Sequence, residues 1–224
     1  MELRHADIDP KDIESREKSL FANWKKEYDN FISDGCADCV KYAAAPVRLL
    51  FVLKEVNGGE NWDLRELLNE GARTQSWSTV ARWVRNIFDL ESDYTWADLK
   101  EQSDSDNARS KYLSQICAVN LKKSPGESVA DTKRIEDAAQ KDKEFLKEQL
   151  QMYQADIVIL CGTREQYQIV MESKAHWQMT DRGIEYYIDG KGSVVISYSH
   201  PAARISPCLL HYGLIDAIKE IVNR

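Results

Sequence analysis

The chain has 224 residues, 43% of them hydrophobic, and its 37 Asp and Glu outnumber 30 Lys and Arg for a formal net charge of −7. This supplies one substantial core and excludes a uniformly basic surface, while the lack of any apolar run of about 18 residues argues against a membrane span. The charged start "MELRHADIDPKDIESREK" is unlike a signal sequence and five scattered cysteines (36, 39, 117, 161, 208) are unlike a disulfide framework, so the expectation is a cytoplasmic protein with reduced thiols.

Residues 10–33 place Leu20, Phe21, Trp24, Tyr28 and Phe31 at intervals of three and four, the face of an amphipathic helix. "VRLLFVL", 47–53, between Pro46 and "KEVNGGEN", predicts a buried strand ending in a glycine loop. Asp63 caps a helix over "LRELLNEG", and Ser76 or Ser78 opens another over "TVARWVRNIFDL". "SQICAVN", 114–120, predicts a second strand, followed by the turn "LKKSPGES" and one long charged helix from about Asp131 to Met152. "ADIVILCG", 155–162, predicts a third strand before the helical "TREQYQIVMES". "IEYYI" and "SVVISYS" flank "DGKG" as a hairpin, and "CLLHYGLIDAIKEIVNR" closes the chain as a helix.

Strands alternating with helices predict a three-layer α/β/α sandwich on a central, mainly parallel four-stranded sheet, with chemistry at the carboxyl ends of the strands. The expected organisation is a single domain over 1–224 with an N-terminal helical extension, about 1–45. Three windows free of acidic residues, 71–88 with Arg73, Arg82 and Arg85, 107–126 with Arg109, Lys111, Lys122 and Lys123, and 190–215 with Lys191 and Arg204, are expected to gather into a neutral-to-basic face.

The order of "KEVNGG", "AVNLKKSPG", "ADIVILCG" and "SYSHPAAR" resembles the uracil-DNA glycosylase superfamily, whose branches carry "GQDPYH" or "GEAPG", then a "VVKCRPPGN"-like segment, an "ALG"-like strand and a "YHPAA"-like motif. The resemblance spans roughly residues 47–220. It departs in the first motif, where Glu55 stands opposite the polar second residue, Val56 opposite the catalytic aspartate, and Gly58 opposite a tyrosine that excludes 5-substituted pyrimidines. Glu55, Glu60 and Asp63 are the alternatives for the missing carboxylate.

The resemblance implies a monofunctional DNA glycosylase, acting on a flipped base in double- or single-stranded DNA, as a monomer and without a required cofactor. Glycosidic cleavage puts positive charge on the sugar and negative charge on the departing base, so a carboxylate suits the first and a hydrogen-bond donor the second. His200, held by Pro201, is the candidate donor, Asn120 the reader of the base edge, and Glu55 the carboxylate. Glu55 read alone is equally a surface ion pair with Lys54, Asn120 a strand-terminating turn former. Lys54, Val56, Asn57, Gly58 and Gly59 are the candidate substrate loop, and Lys54 could instead attack the sugar carbon as an amine nucleophile. Lys122, Lys123, Ser124, Arg204 and Arg73 are candidate DNA contacts, and Trp77 a stacking platform. "CADC", Cys36 to Cys39, raises an iron–sulfur cluster, which the spacing of the other cysteines argues against. Gly58 leaves room for a bulky 5-substituted pyrimidine, such as the hydroxymethylated or glucosylated cytosines of phage DNA. Uracil excision, or a noncatalytic DNA- or protein-binding module, are the alternatives.

Overall fold

A computed structural model describes residues 7–56, 62–72, 75–101, 103, 105–126 and 131–223. The first helix, α1 (Pro10–Trp24), starts where the Asp9 carboxylate accepts from Lys11 N–H, with proline in the first turn, and buries Ile13, Glu17, Leu20, Phe21 and Trp24 on one face. A 3-10 turn (Lys25–Glu27), β1 (Gly35–Cys36) and α2 (Cys39–Ala43) lead to β2 (Leu49–Leu53). Then come α3 (Leu64–Asn69), capped by Asp63 as expected, α4 (Gln75–Phe88), α5 (Trp96–Glu101), α6 (Asp106–Leu113) and β3 (Cys117–Asn120). The second half runs α7 (Thr132–Lys141), α8 (Lys143–Met152), β4 (Ile157–Cys161), α9 (Arg164–Met171), β5 (Gln178–Met179), β6 (Glu185–Ile188), β7 (Val194–Tyr198) and α10 (Pro207–Asn223).

The strands form one sheet in the order β1-β3-β2-β4-β7-β6-β5. Its centre, β3-β2-β4-β7, is parallel, while β1 on one side and the β6 and β5 strands on the other are antiparallel. The sheet therefore has seven strands rather than four, with the expected parallel set at its middle. The extra edges are two-residue strands, too short to leave a hydrophobic run in sequence, and the hairpin strand β6.

Both faces of the parallel centre are covered, which is why its strands read as unbroken apolar runs. On one face Leu49, Phe51, Leu53, Ala118, Ile157, Ile159 and Ile196 pack with Val80, Trp83 and Val84 of α4 and Leu214 and Ile218 of α10. On the other, Leu50, Val52, Cys117, Val119, Val158 and Leu160 pack with Ile13, Leu20 and Trp24 of α1 and residues of α7, α8 and α9. Residues 10–45 are thus part of the second helical layer and of the sheet edge, not an extension. The amphipathic stripe of α1 has no other surface to cover.

The predicted single helix over 131–152 is two. Asp142, buried at the junction, adopts φ −98° and ψ 15°, and its carboxylate accepts from the Tyr28 hydroxyl. At the amino ends of the strands, Arg48 pairs with Asp156 (3.0 Å), and its backbone N–H donates to the same carboxylate (2.7 Å), fastening β2 to β4.

His211 of α10 is fully buried, and its Nε2 lies 3.0 Å from Asn86 Oδ1 on α4. Burial, with the Arg82 charge second, pushes its pKa down to about 4. A depressed histidine contributes stability above its unfolded value near 6.5 and loses it as pH falls toward 4, on the order of 3 kcal/mol. Urea midpoints at pH 7 and pH 4.5 should show this loss, and His211→Gln, which keeps a donor for Asn86 but does not titrate, should shrink it.

Candidate functional site

The four parallel strands deliver their following loops to one end of the sheet. The chain moves from β2 to β3 on one side and later to β4 on the other, so the connections diverge around β2, the arrangement that opens a crevice at strand carboxyl ends. Lys54, Glu55 and Val56 follow β2, Lys122 to Ser124 follow β3, Gly162 and Thr163 follow β4, and His200 and Pro201 follow β7.

The β2 and β3 loops stay paired beyond the strands. Leu121 N donates to Leu53 O (3.0 Å), Lys122 N to Lys54 O (3.0 Å) and Gly126 N to Val56 O (2.7 Å). This brings Lys122 Nζ to 2.6 Å from Glu55 Oε2, with the two side chains 16% and 8% exposed, and Lys122 also donates to Pro125 O (2.8 Å). A Cβ on Gly126 would fall 2.1 Å from Glu55 Cδ, so only glycine lets the loop close over the carboxylate. Glu55 is thus a sequestered carboxylate paired with Lys122, not a surface partner of Lys54.

Gly162, at φ +70°, donates to Tyr198 O (2.8 Å), and Thr163 Oγ1 donates to Val52 O (3.0 Å). Lys54 lies over this corner, its Cε 3.8 Å from where a Gly162 Cβ would be. His200 is half-buried, and its Nδ1 accepts from Ala202 N–H (3.1 Å). Burial first, and the Lys54 charge second, lower its pKa. At neutral pH the ring is therefore uncharged, and with Nδ1 accepting, Nε2 carries the proton.

Asn120 and Lys123 take other places. Asp34, just before β1, has no exposed side-chain surface. Its Oδ2 accepts from Asn120 N (2.7 Å) and Nδ2 (3.3 Å), and its Oδ1 from Lys123 Nζ (2.6 Å) and Gln149 Nε2 (2.9 Å). Lys123 also donates to Gln149 Oε1 (2.8 Å) and sits 4.8 Å from the Trp24 ring centroid. Lys123 is consequently not a DNA contact. Consecutive residues of an extended segment point to opposite faces, so "LKKS" sends Lys122 toward Glu55 and Lys123 inward. Asn120 is 3% exposed and its amide donates inward to Asp34, which takes it from the base-reading place expected of it.

Three arginines of the acid-free windows, Arg82, Arg85 and Arg109, are interior fasteners and do not contribute to the expected basic face. Arg82 donates to Ser103 Oγ (2.8 Å) over the Trp96 ring, Arg85 to Asp98 O (2.8 Å) over Tyr94, and Arg109 to Gly71 O and Ser103 O (2.7 Å each). Trp77 is core, 8% exposed. Asp63 caps α3 and pairs with Arg65 (2.5 Å), which removes it as an alternative carboxylate. Arg204 is exposed beyond His200 and Ser124 half-buried. Asn57, Gly58, Gly59, Glu60 and Arg73 lie outside the described residues.

Cys36, Cys39 and Cys117 form a buried thiol cluster. Burial drives Cys36 up and takes Cys117 to about 11, so both stay protonated at neutral pH. Cys36 and Cys39 also line a cleft of about 850 Å³ between α1, α2 and α3, with Glu17 and Arg65 in its wall.

No model of a known protein family matches the chain, and no curated protein matches it.

Replacing Lys54 by Gln should raise the His200 pKa while leaving it below 6.5, because the burial contribution remains; the imidazole Cε1–H titration followed by NMR reads this directly. Lys123→Met strands the Asp34 carboxylate in the interior and should cost about 3–5 kcal/mol in denaturant unfolding.

Proposed function

We propose that the chain is a DNA glycosylase that hydrolyses the N-glycosidic bond of a flipped, modified or deaminated base and leaves an abasic site. The observation that carries this is the presence, at the same end of the sheet, of a sequestered carboxylate, Glu55, after β2 and a neutral imidazole with its proton on Nε2, His200, after β7. β2 and β7 are two strand spacings apart, about 10 Å, a gap that a nucleoside spans.

In this reading the Nε2–H donates to the carbonyl oxygen of the departing base, where negative charge accumulates. The donor is neutral in the ground state, so it gains most when the charge has developed. Glu55 faces the opposite charge, the oxocarbenium character of the sugar, and orients water toward C1′. Lys122 holds the Glu55 carboxylate in one position, and Gly126 closes over it. Arg204, Ser124 and Lys54 remain as contacts for the phosphates and sugar on the rim. The preference for bulky 5-substituted pyrimidines rests on Gly58, with uracil as the competing substrate. The inward amide of Asn120 and the interior arginines favour, as the second reading, a noncatalytic binding module.

The test is incubation with duplexes bearing uracil, hypoxanthine, 5-hydroxymethylcytosine or its glucosylated form, followed by hot alkali. At least one should yield alkali-labile sites, and Glu55→Gln should slow release by roughly 10²–10⁴-fold with little change in DNA affinity. Salt-sensitive DNA binding with no base released from any duplex would replace the enzyme by the module.

A further inference from the structure

The three lysines at the strand ends differ in what they are bonded to. Lys123 is enclosed with Asp34 and Gln149, and Lys122 is bound to Glu55 and the Pro125 carbonyl. The Lys54 side chain has neither a hydrogen bond nor a carboxylate partner among the described residues, although Glu55 is its immediate neighbour in sequence. It is half-buried, its stem lies against Gly162, and its charge is felt by His200 across the end of β4. A half-buried amine whose side chain is not held in an ion pair has its nitrogen in place for attack as a nucleophile. Lys54 follows β2, beside Glu55, and its side chain reaches over Gly162 at the end of β4, the strand that separates β2 from the β7 end carrying His200.

We propose that Lys54 attacks the aldehyde of the abasic deoxyribose and that the site thereby nicks the strand; the substrate of this second activity is the product of the glycosylase reading, on which it rests. The neutral Nζ amine adds to C1′ of the ring-opened sugar, both amine protons end on the aldehyde oxygen, and water leaves to give an imine. Protonation of the imine makes the C2′ proton acidic. That proton passes to water, the electron pair forms the C2′–C3′ double bond, and the C3′–O bond breaks with the downstream 5′-phosphate as leaving group. Hydrolysis of the imine returns Lys54 and releases an unsaturated aldehyde on the upstream strand. No oxidant or reductant takes part. The His200 Nε2–H is placed to hydrogen-bond the aldehyde oxygen during addition.

The experiment uses the full chain and a labelled duplex with a preformed abasic site, which bypasses base release, in the presence of sodium cyanoborohydride. The expected result is a covalent protein–DNA adduct on a denaturing gel, with the modified peptide mapping to Lys54. Lys54→Arg, which keeps the charge but forms no imine, should reduce the adduct at least tenfold. No adduct, or an adduct mapped to another amine, overturns the proposal. Because peptide mapping uses the wild-type chain, the result does not depend on whether the variant folds. Base release without an adduct would overturn only the lyase step, and an adduct without base release from any duplex would sustain it while overturning the glycosylase reading.

Discussion

Four donor contacts converge on one fully buried carboxylate, Asp34: from Lys123 Nζ, Gln149 Nε2, and the backbone and side chain of Asn120. A charge in such a place is tolerable only when every one of its lone pairs is answered, and the same requirement falls on the lysine. The chain segment carrying Asn120 and Lys123 is therefore held at both ends of a short stretch, and Lys122, between them, has little freedom over where it points. The Glu55–Lys122 pair and the close approach of Gly126 follow from that anchoring. The network continues inward from Gln149 to Tyr153 (3.0 Å), to Glu17 (2.7 Å) and to Arg65 (2.8 Å), so α8, α1 and α3 are tied into the support of a loop they do not touch at the surface. Burial raises the Glu17 pKa against the lowering effect of its donors, Cys36 N–H, Tyr153 and Arg65.

This explains why the first forty-odd residues are built into the layer. Without α1 and the segment that leads into β1 there is neither Asp34 nor the Trp24 ring beside Lys123, and Lys123 would be an unpaired cation against an apolar face. The sheet contributes the other half of the arrangement. Its parallel centre places four loops at one end, and β2, flanked by β3 and β4, puts Lys54 and Glu55 in the middle of them. The antiparallel additions at the edges lengthen the sheet without adding loops to that end.

Much of this was legible in the residues. Unbroken apolar runs marked the four central strands, because a sheet covered on both faces hides every side chain. Asp63 and Asp131 marked helix starts, since a carboxylate before a periodic stretch is a cap. What the pattern could not carry was pairing at a distance. Asp34 and Lys123 are 89 positions apart, and a buried ion pair leaves no periodicity in either segment. Three arginines of the acid-free windows misled for the same reason. Arg82, Arg85 and Arg109 bind backbone carbonyls, hydroxyls and aromatic faces, and Arg109 also the Asp106 carboxylate, so these cations are engaged inside the fold and not spread over a surface. The split of the 131–152 helix turned on one contact, Tyr28 with Asp142, again between segments far apart in sequence.

The adjacent lysines show how much chemistry depends on register. In "NLKKSPG" the two are chemically identical, and only strand alternation decides that one neutralises a buried carboxylate while the other orients Glu55. A slip of one residue would exchange them, putting Lys122 into the Asp34 enclosure and Lys123 over the crevice, with Glu55 losing its partner. The ladder from Leu53–Leu121 through Lys54–Lys122 to Val56–Gly126 prevents that slip, since each bond also fixes the face of the next side chain. Among the described residues, the Lys54 side chain owes its lack of a carboxylate partner to the same register. Its backbone carbonyl accepts from Lys122, which directs the Lys122 side chain to Glu55, and Lys54, one residue out of phase with Glu55, is turned across β4 toward His200. Among the described residues, a chain rich in carboxylates thus pairs Lys122 and Lys123 but not the Lys54 side chain, through geometry set by backbone hydrogen bonds and not by any shortage of acids.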